Sequence, residues 1–369
     1  MDWDLVFIIF IVAVALGFDF INGFHDAANS VATIVSTRVL SPGQAVVWAA
    51  FFNFVAAFGL GLHVANTIGK GIIDTSVVDE KLILSALIGA IVWDLITWRL
   101  GLPTSSSHAL IGGLIGAAMA SAGPDAIIFA GVKKTSAFIV ISPFVGFIAA
   151  VFLALAVMRL YSRIAPSTAQ GIFRRLQLLS AAAYSLGHGA NDAQKTMGVI
   201  AVLLFTTGHL GNNFHVPIWV ILSAHAAIAG GTLLGGWRIV RTMGLRITKL
   251  QPSDGFAAEA SSAAALLFAT QVGIPVSTTH TIAGGIIGVG STKRLSAVRW
   301  GVAINIVGAW ILTIPAAAGM AALTFLIVDR FQDVRDHATG DSDAGHCCDG
   351  RRNPHASFLR PQAAARCRP

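Results

Sequence analysis

Asp19, Asn22, Asp26 and Asn29 follow one another at intervals of three, four and three residues, which puts them on one face of a helix. The same spacing recurs 166 positions later in Ser185, His188, Asp192 and Lys195. Both sets interrupt long apolar stretches. An ionisable group in hydrocarbon costs at least about 2.5 kcal/mol, so it must face a partner, a bundle interior or a water-filled path. Carboxylate and amide oxygens on such a stripe can hold a cation or carry a proton. The plain alternative is structural pairing between helices. His25 and His188 fit either a proton carrier or an interhelical hydrogen bond.

A second chemistry belongs to two hydroxyl runs. Ser105, Ser106 and Ser107 follow Pro103, and Ser277, Thr278 and Thr279 follow Pro275. Each run opens a half-helix, where unpaired N–H groups and hydroxyls converge and the helix dipole favours an anion. N-capping alone would account for one hydroxyl per run, not three. Two such ends meeting from opposite sides make an oxyanion site, with Asn29 and Asn191 as further donors. His108 and His280, one turn into each helix, suit packing or hydrogen bonding better than ligation, and the Gly-Gly-x-x-Gly runs beyond them suit close helix contacts.

The elements that position these groups must sit in a membrane. Only 12% of the 369 residues are charged against 55% hydrophobic, with mean hydropathy +0.72. Residues 329–369 take 13 of the 43 charges, so the preceding body is poorer still. A soluble domain carries about a quarter charged residues. The net charge of +7 is scattered between apolar runs, which argues against nucleic acid and for an inward bias of basic loops. Cys347, Cys348 and Cys367 all lie in the tail, so no disulfide framework is expected in the body. Asp2 and Asp4 stand where a signal peptide would be basic, so Leu5–Gly17 is expected to start a retained helix.

Runs of spanning length cover 5–37, 45–65, 137–158, 176–207, 216–236 and 300–328. The first and fourth are interrupted midway by the polar stripes. Regions 82–121 and 256–290 each hold two shorter apolar pieces joined at Gly-x-Pro, which predicts re-entrant hairpins; two full spans in each is the alternative. With the N-terminus outside, loops 38–44, 159–175, 237–254 and 291–299 fall inside and hold 12 basic residues against four outside.

The halves are a duplication. Leu102–His108 matches Ile274–His280 at an offset of 172, and Asn22–Asn29 matches His188–Lys195 at 166. The expected fold is therefore an all-α polytopic membrane protein, an inverted repeat with broken helices and two re-entrant helical hairpins. Its expected parts are a first repeat 1–158, a basic cytoplasmic linker 159–175, a second repeat 176–328 and a disordered polar tail 329–369. Inverted repeats with midplane polar sites suit alternating access. Asp94 and Arg99 are expected to pair or to sit at the interface, and Glu259 to lie near the cytoplasmic surface. The His346-Cys347-Cys348 cluster lacks the spaced partners of a metal site.

Gly23-Phe-His-Asp26-Ala-Ala-Asn29, His188-Gly-Ala-Asn-Asp192-Ala-Gln-Lys195 and the two hydroxyl blocks resemble the PiT-type inorganic phosphate transporters, over residues 5–328 and most closely the bacterial low-affinity branch. The resemblance implies cation-coupled phosphate import across the inner membrane, with sodium- and proton-coupled members and some relatives that carry sulfate. No enzyme activity and no cofactor are expected. Phosphate is the expected ligand of Ser105, Ser106, Ser107, Ser277, Thr278, Thr279, Asn29 and Asn191, free or as a metal complex. The coupling cation is expected at Asp26, Asp192, Lys195 and Asn22.

Phosphate near neutral pH can donate a proton to a carboxylate, whereas sulfate only accepts, so flanking aspartates favour phosphate. Sodium-coupled relatives resemble Asn-Asp-x-x-Asn in both halves. Here Lys195 replaces the second Asn, which points to a proton; sodium at Asp26, Asn29 and Asp192 is the alternative. A sulfate carrier on the same scaffold is the runner-up. A serine hydrolase is disfavoured because each Ser–His set is duplicated and Gly-x-Ser-x-Gly is missing; a passive channel would not accumulate substrate. The bilayer is the expected environment and a homodimer an open option.

Overall fold

In the computed structural model the described residues are 3–339 apart from Leu60 and Asn212; the side chains of Lys70 and of 332–339 are also outside the description. The chain divides after Val328 into two units, Met1–Val328 and Asp329–Pro369, and the site and its packing belong to the first. Residues 340–369, with the His346-Cys347-Cys348 cluster, lie outside the described residues. Within the expected tail, the last helix continues to Thr339.

The first repeat contributes α1 (Trp3–Ser36), α2 (Pro42–Val55), α3 (His63–Gly71), α4 (Glu80–Leu100), α5 (Ser106–Ala122) and α6 (Phe129–Leu160). The second contributes α7 (Pro166–Thr206), α8 (Ile218–Leu234), α9 (Trp237–Arg241), α10 (Pro252–Gln271), α11 (Thr278–Lys293) and α12 (Trp300–Thr339). Among the described residues four helices, α1, α4, α6 and α12, are long and apolar enough to cross a bilayer, or up to six spans if each bent pair counts as one.

The breaks fall elsewhere than expected. α1 and α7 run unbroken through their polar stripes for 34 and 41 residues. Hydropathy drops there, but polar side chains leave the backbone ladder intact, and Asp26, Asn29, Asp192 and Lys195 find partners on other helices. The bends come one element later. The expected span 45–65 is instead α2 and α3, at 83° to each other, and its counterpart α8 turns by 61° into α9. Gly235 at the second bend has φ +67°, a conformation a side chain would resist. A single π-helical turn, Thr242–Arg246, follows α9.

α4 with α5, and α10 with α11, form antiparallel hairpins. Thr104 donates to Thr97 near one tip and a Cβ on Gly113 would press on the Ala86 carbonyl further along; Ser262 donates to the Thr281 carbonyl in the other pair. The tips end alike: Gly101 and Gly273 have φ +69° and +68°. Each tip carbonyl is held by a threonine of the opposite repeat, Thr242 to Gly101 at 2.9 Å and Thr67 to Gly273 at 2.8 Å.

The repeats interdigitate through small residues. Gly112 and Gly116 of α5 lie so close to Ile314 and Ala318 of α12 that a Cβ on either would clash with backbone. Gly284 and Gly288 of α11 meet Pro143 and Phe147 of α6 in the same way. Gly23 of α1 abuts Ile228 of α8, and Gly189 of α7 abuts Asn53 of α2. Two apolar clusters result. α1 passes from the first (Ile8, Ile11, Phe18) to the second (Val31, Ile34), while α7 passes from the second (Ala181, Tyr184) to the first (Met197, Ile200). The polar stripes occupy the stretch between. Outward, Phe144, Ile148 and Phe152 of α6 and Ile304 and Ile311 of α12 are exposed, a face that suits lipid.

Candidate functional site

The middles of α1 and α7 meet the starts of α5 and α11 in a fully buried polar cluster. Thr278 donates to Asp192 Oδ2 at 2.9 Å, and Thr279 lies 3.4 Å from Asp26 Oδ2. Asn29 donates to Thr279 at 2.9 Å and reaches Thr278 at 3.4 Å. Lys195 Nζ is 2.5 Å from both Asp192 Oδ1 and Ser107 Oγ, and 3.0 Å from the Val276 carbonyl. One ligand atom each from Asp26, His188 and Asp192 lies within 4.8 Å of the others. Asp26, Asn29, Ser107, Asp192, Lys195, Thr278 and Thr279 are thus brought together from four helices.

Two carboxylates at such a separation repel by about 3 kcal/mol at an effective dielectric of about 20, so the pair needs compensation. Lys195 supplies one positive charge to Asp192. At Asp26, the His25 ring stands 2.7 Å from Oδ1. Counting Asp26, Asp192 and Lys195, the cluster keeps a formal charge of −1 before any anion enters.

The remaining expected residues stand around this set. Ser277 caps α11, accepting from the His280 N–H at 3.2 Å. Its counterpart Ser105 makes no such bond and is a buried hydroxyl without a partner, while Ser106 stands beside the Asp94 carboxyl. Asn191 turns its amide toward Thr270 and the Ile274 carbonyl, holding the second hairpin, while its Oδ1 has no donor. Asn22 is buried and its Oδ1 likewise accepts nothing. His188 Nδ1 lies 3.2 Å from Asn53 Oδ1, and Nε2 stands 3.3 Å from Asp192 without hydrogen-bond alignment. His108 and His280 pack edge to face at 4.6 Å, and His280 also stacks on Trp310 at 3.7 Å.

Two further acidic residues are fully buried. Asp94 stands beside Ser106 and forms no ion pair with Arg99, so the expected pairing is not made. Glu259 accepts from Thr33 at 2.5 Å, Ser180 at 2.6 Å and Gln177 at 3.0 Å. The signal for Glu259 was Thr33, which continues the α1 stripe one turn beyond Asn29. Tyr184 was missed as well: its buried hydroxyl donates to the Thr278 carbonyl at 3.0 Å, next to the cluster.

This arrangement has known counterparts. The family described as "Phosphate transporter family" matches residues 22–321, most of the chain, with both hydroxyl runs and both stripes except Asp19. The chain belongs to the phosphate transporter family. Members of this family are multi-pass membrane transporters rather than enzymes. A "Probable low-affinity inorganic phosphate transporter" of Rhizobium meliloti is 58% identical over 331 residues, covering 89% of this chain and 99% of the relative. One of Bacillus subtilis is 42% identical over 333 residues, with the same two coverages. Among solved structures, "The sodium-dependent phosphate transporter" superposes with a TM-score of 0.79 at 26% identity, covering 88% of this chain and 99% of that one.

Proposed function

We propose that this phosphate transporter family member imports inorganic phosphate by alternating access, driven by protons rather than sodium. The observation that carries this reading is Lys195: its ammonium lies against Asp192 and Ser107, between a carboxylate of one stripe and a hydroxyl of the oxyanion run. There it can both attract the anion and stand where a second sodium ion would otherwise neutralise Asp192. Asp26 and Asp192 offer acceptors to the proton of hydrogen phosphate, and Ser105, Asn29 and Asn191 retain unused polar atoms. A cluster of net −1 cannot take up an anion without a proton or cation, so coupling follows from charge balance.

An inverted relation of the repeats is supported by the opposite order in which α1 and α7 cross the two apolar clusters. On this reading α4–α5 and α10–α11 are re-entrant hairpins entering from opposite faces, the N-terminus is outside, and the site is in the inner membrane. The name of the solved sodium-dependent relative, with the Asp26–His188–Asp192 grouping, favours sodium as the second reading. Binding of labelled phosphate to the purified protein, competed by sulfate, tests the substrate. Displacement by cold phosphate at least about tenfold more effective than by sulfate is expected, since a group with unpaired polar partners is discriminated by that much or more; equal competition would favour the sulfate carrier.

A further inference from the structure

Where the first hairpin tip meets the π-helical turn, a cavity of about 620 Å³ is lined by Arg99, Arg238, Arg241 and Arg246. None of the four forms an ion pair with a carboxylate among the described residues. Arg238 is committed: its Nη1 donates to the Arg99 carbonyl at 2.7 Å and its guanidinium lies 5.5 Å over the Trp98 ring. Arg99, Arg241 and Arg246 are exposed. The lining is apolar as well as basic: Leu100 is 66% exposed and Trp237 41%.

The opposite end of the molecule shows that this chemistry is not required by the fold. The matching positions, aligned through the Thr67 and Thr242 latches and the Gly101 and Gly273 tips, hold His63, Asn66, Gly71 and Gln271. Both ends keep the latch, and the four guanidinium groups stand at one of them only. That end carries the basic segment 237–254, which the proposed topology puts inside, where anionic lipids attract arginine. A planar guanidinium fork pairs two oxygens of a phosphate at once. Arginines beside exposed Leu and Trp side chains match a group that is anionic at one end and acyl at the other.

We propose that this cavity binds the phosphodiester headgroup of an anionic phospholipid such as phosphatidylglycerol. The bound headgroup bridges Arg99 on the hairpin with Arg241 at the end of α9 and Arg246 beyond it, and so tightens the latch between Thr242 and Gly101. The inference rests on the transporter reading for the bilayer and for the inside placement of 237–254. Lipid retention is measured without transport, so its failure and a failure of phosphate uptake are separate results.

The test is native mass spectrometry of the delipidated full chain, titrated with phosphatidylglycerol and phosphatidylcholine of equal chain length. The wild type is expected to retain phosphatidylglycerol about tenfold better, and Arg241→Gln with Arg246→Gln to lose most of that preference. Arg163→Gln, on a different loop, is expected to keep it. No preference in the wild type, an undiminished preference in the double variant, or complete displacement of the lipid by millimolar orthophosphate would overturn the proposal. Should the double variant fail to fold, the lipid comparison and the orthophosphate competition on the wild type still decide.

Discussion

At the scale of single residues, Asp192 ties the cluster together, receiving Lys195 and Thr278 and flanked by His188. Breaking a buried ion pair strands the other charge at a cost of about 3–5 kcal/mol. Asp192→Asn is therefore expected to lower the melting temperature in detergent and abolish uptake. Adding Lys195→Met should restore most of the melting temperature but none of the uptake; a double variant no more stable than the single one would contradict this pairing. The stripes and hydroxyl runs were legible because a fixed helical spacing exposes them. Tyr184 was not, since its role depends on the Thr278 carbonyl, which no local spacing relates to it; Glu259 showed only through Thr33 on the α1 stripe, its partners Ser180 and Gln177 being set by packing. Ser105 and Ser277 occupy matched positions yet differ in capping, a distinction set by the surrounding packing rather than residue type.

Among the elements, the hairpins and their glycine tips follow from Gly-x-Pro and the 172-residue offset, whereas the bends after α2 and α8 did not stand out in an apolar run. Polar stripes had the opposite effect and suggested interruptions in α1 and α7 that cross-helix hydrogen bonds remove. The two latches give a directional expectation. Loss of one neutral hydrogen bond costs about 1 kcal/mol, roughly a fivefold population shift. With the three tail cysteines replaced, Thr242→Val should speed labelling of Leu102→Cys from inside by about that factor. Thr67→Val should do the same for Ile274→Cys from outside. Unchanged rates would show that these bonds do not gate the tips. Close packing is tested by Gly23→Ala and Gly189→Ala, each expected to destabilise by about 1–3 kcal/mol through overpacking against backbone. Gly17→Ala, with open space around it, should be neutral or stabilising in the same melting assay.

Across the whole molecule, the duplication was readable but the exchange of contacts between its halves was not. Sequence similarity pairs α5 with α11, yet each packs on the last long helix of the other repeat, α12 and α6. Residues 1–158 and 176–328 are thus expected not to fold when produced separately, and to recover a single co-purifying body when produced together. Stable, monodisperse halves alone would contradict the interdigitated packing. The same architecture places one charged cluster between two apolar ones, so the scarcity of charge in this chain concentrates its chemistry at Asp26, Asp192 and Lys195. The most direct measurement is labelled-phosphate uptake into proteoliposomes with pH and sodium gradients imposed separately, for the wild type and Lys195→Asn. Wild-type accumulation should follow the pH gradient and ignore sodium, and the variant should lose that pH response; wild-type uptake that follows sodium and ignores pH would contradict the account.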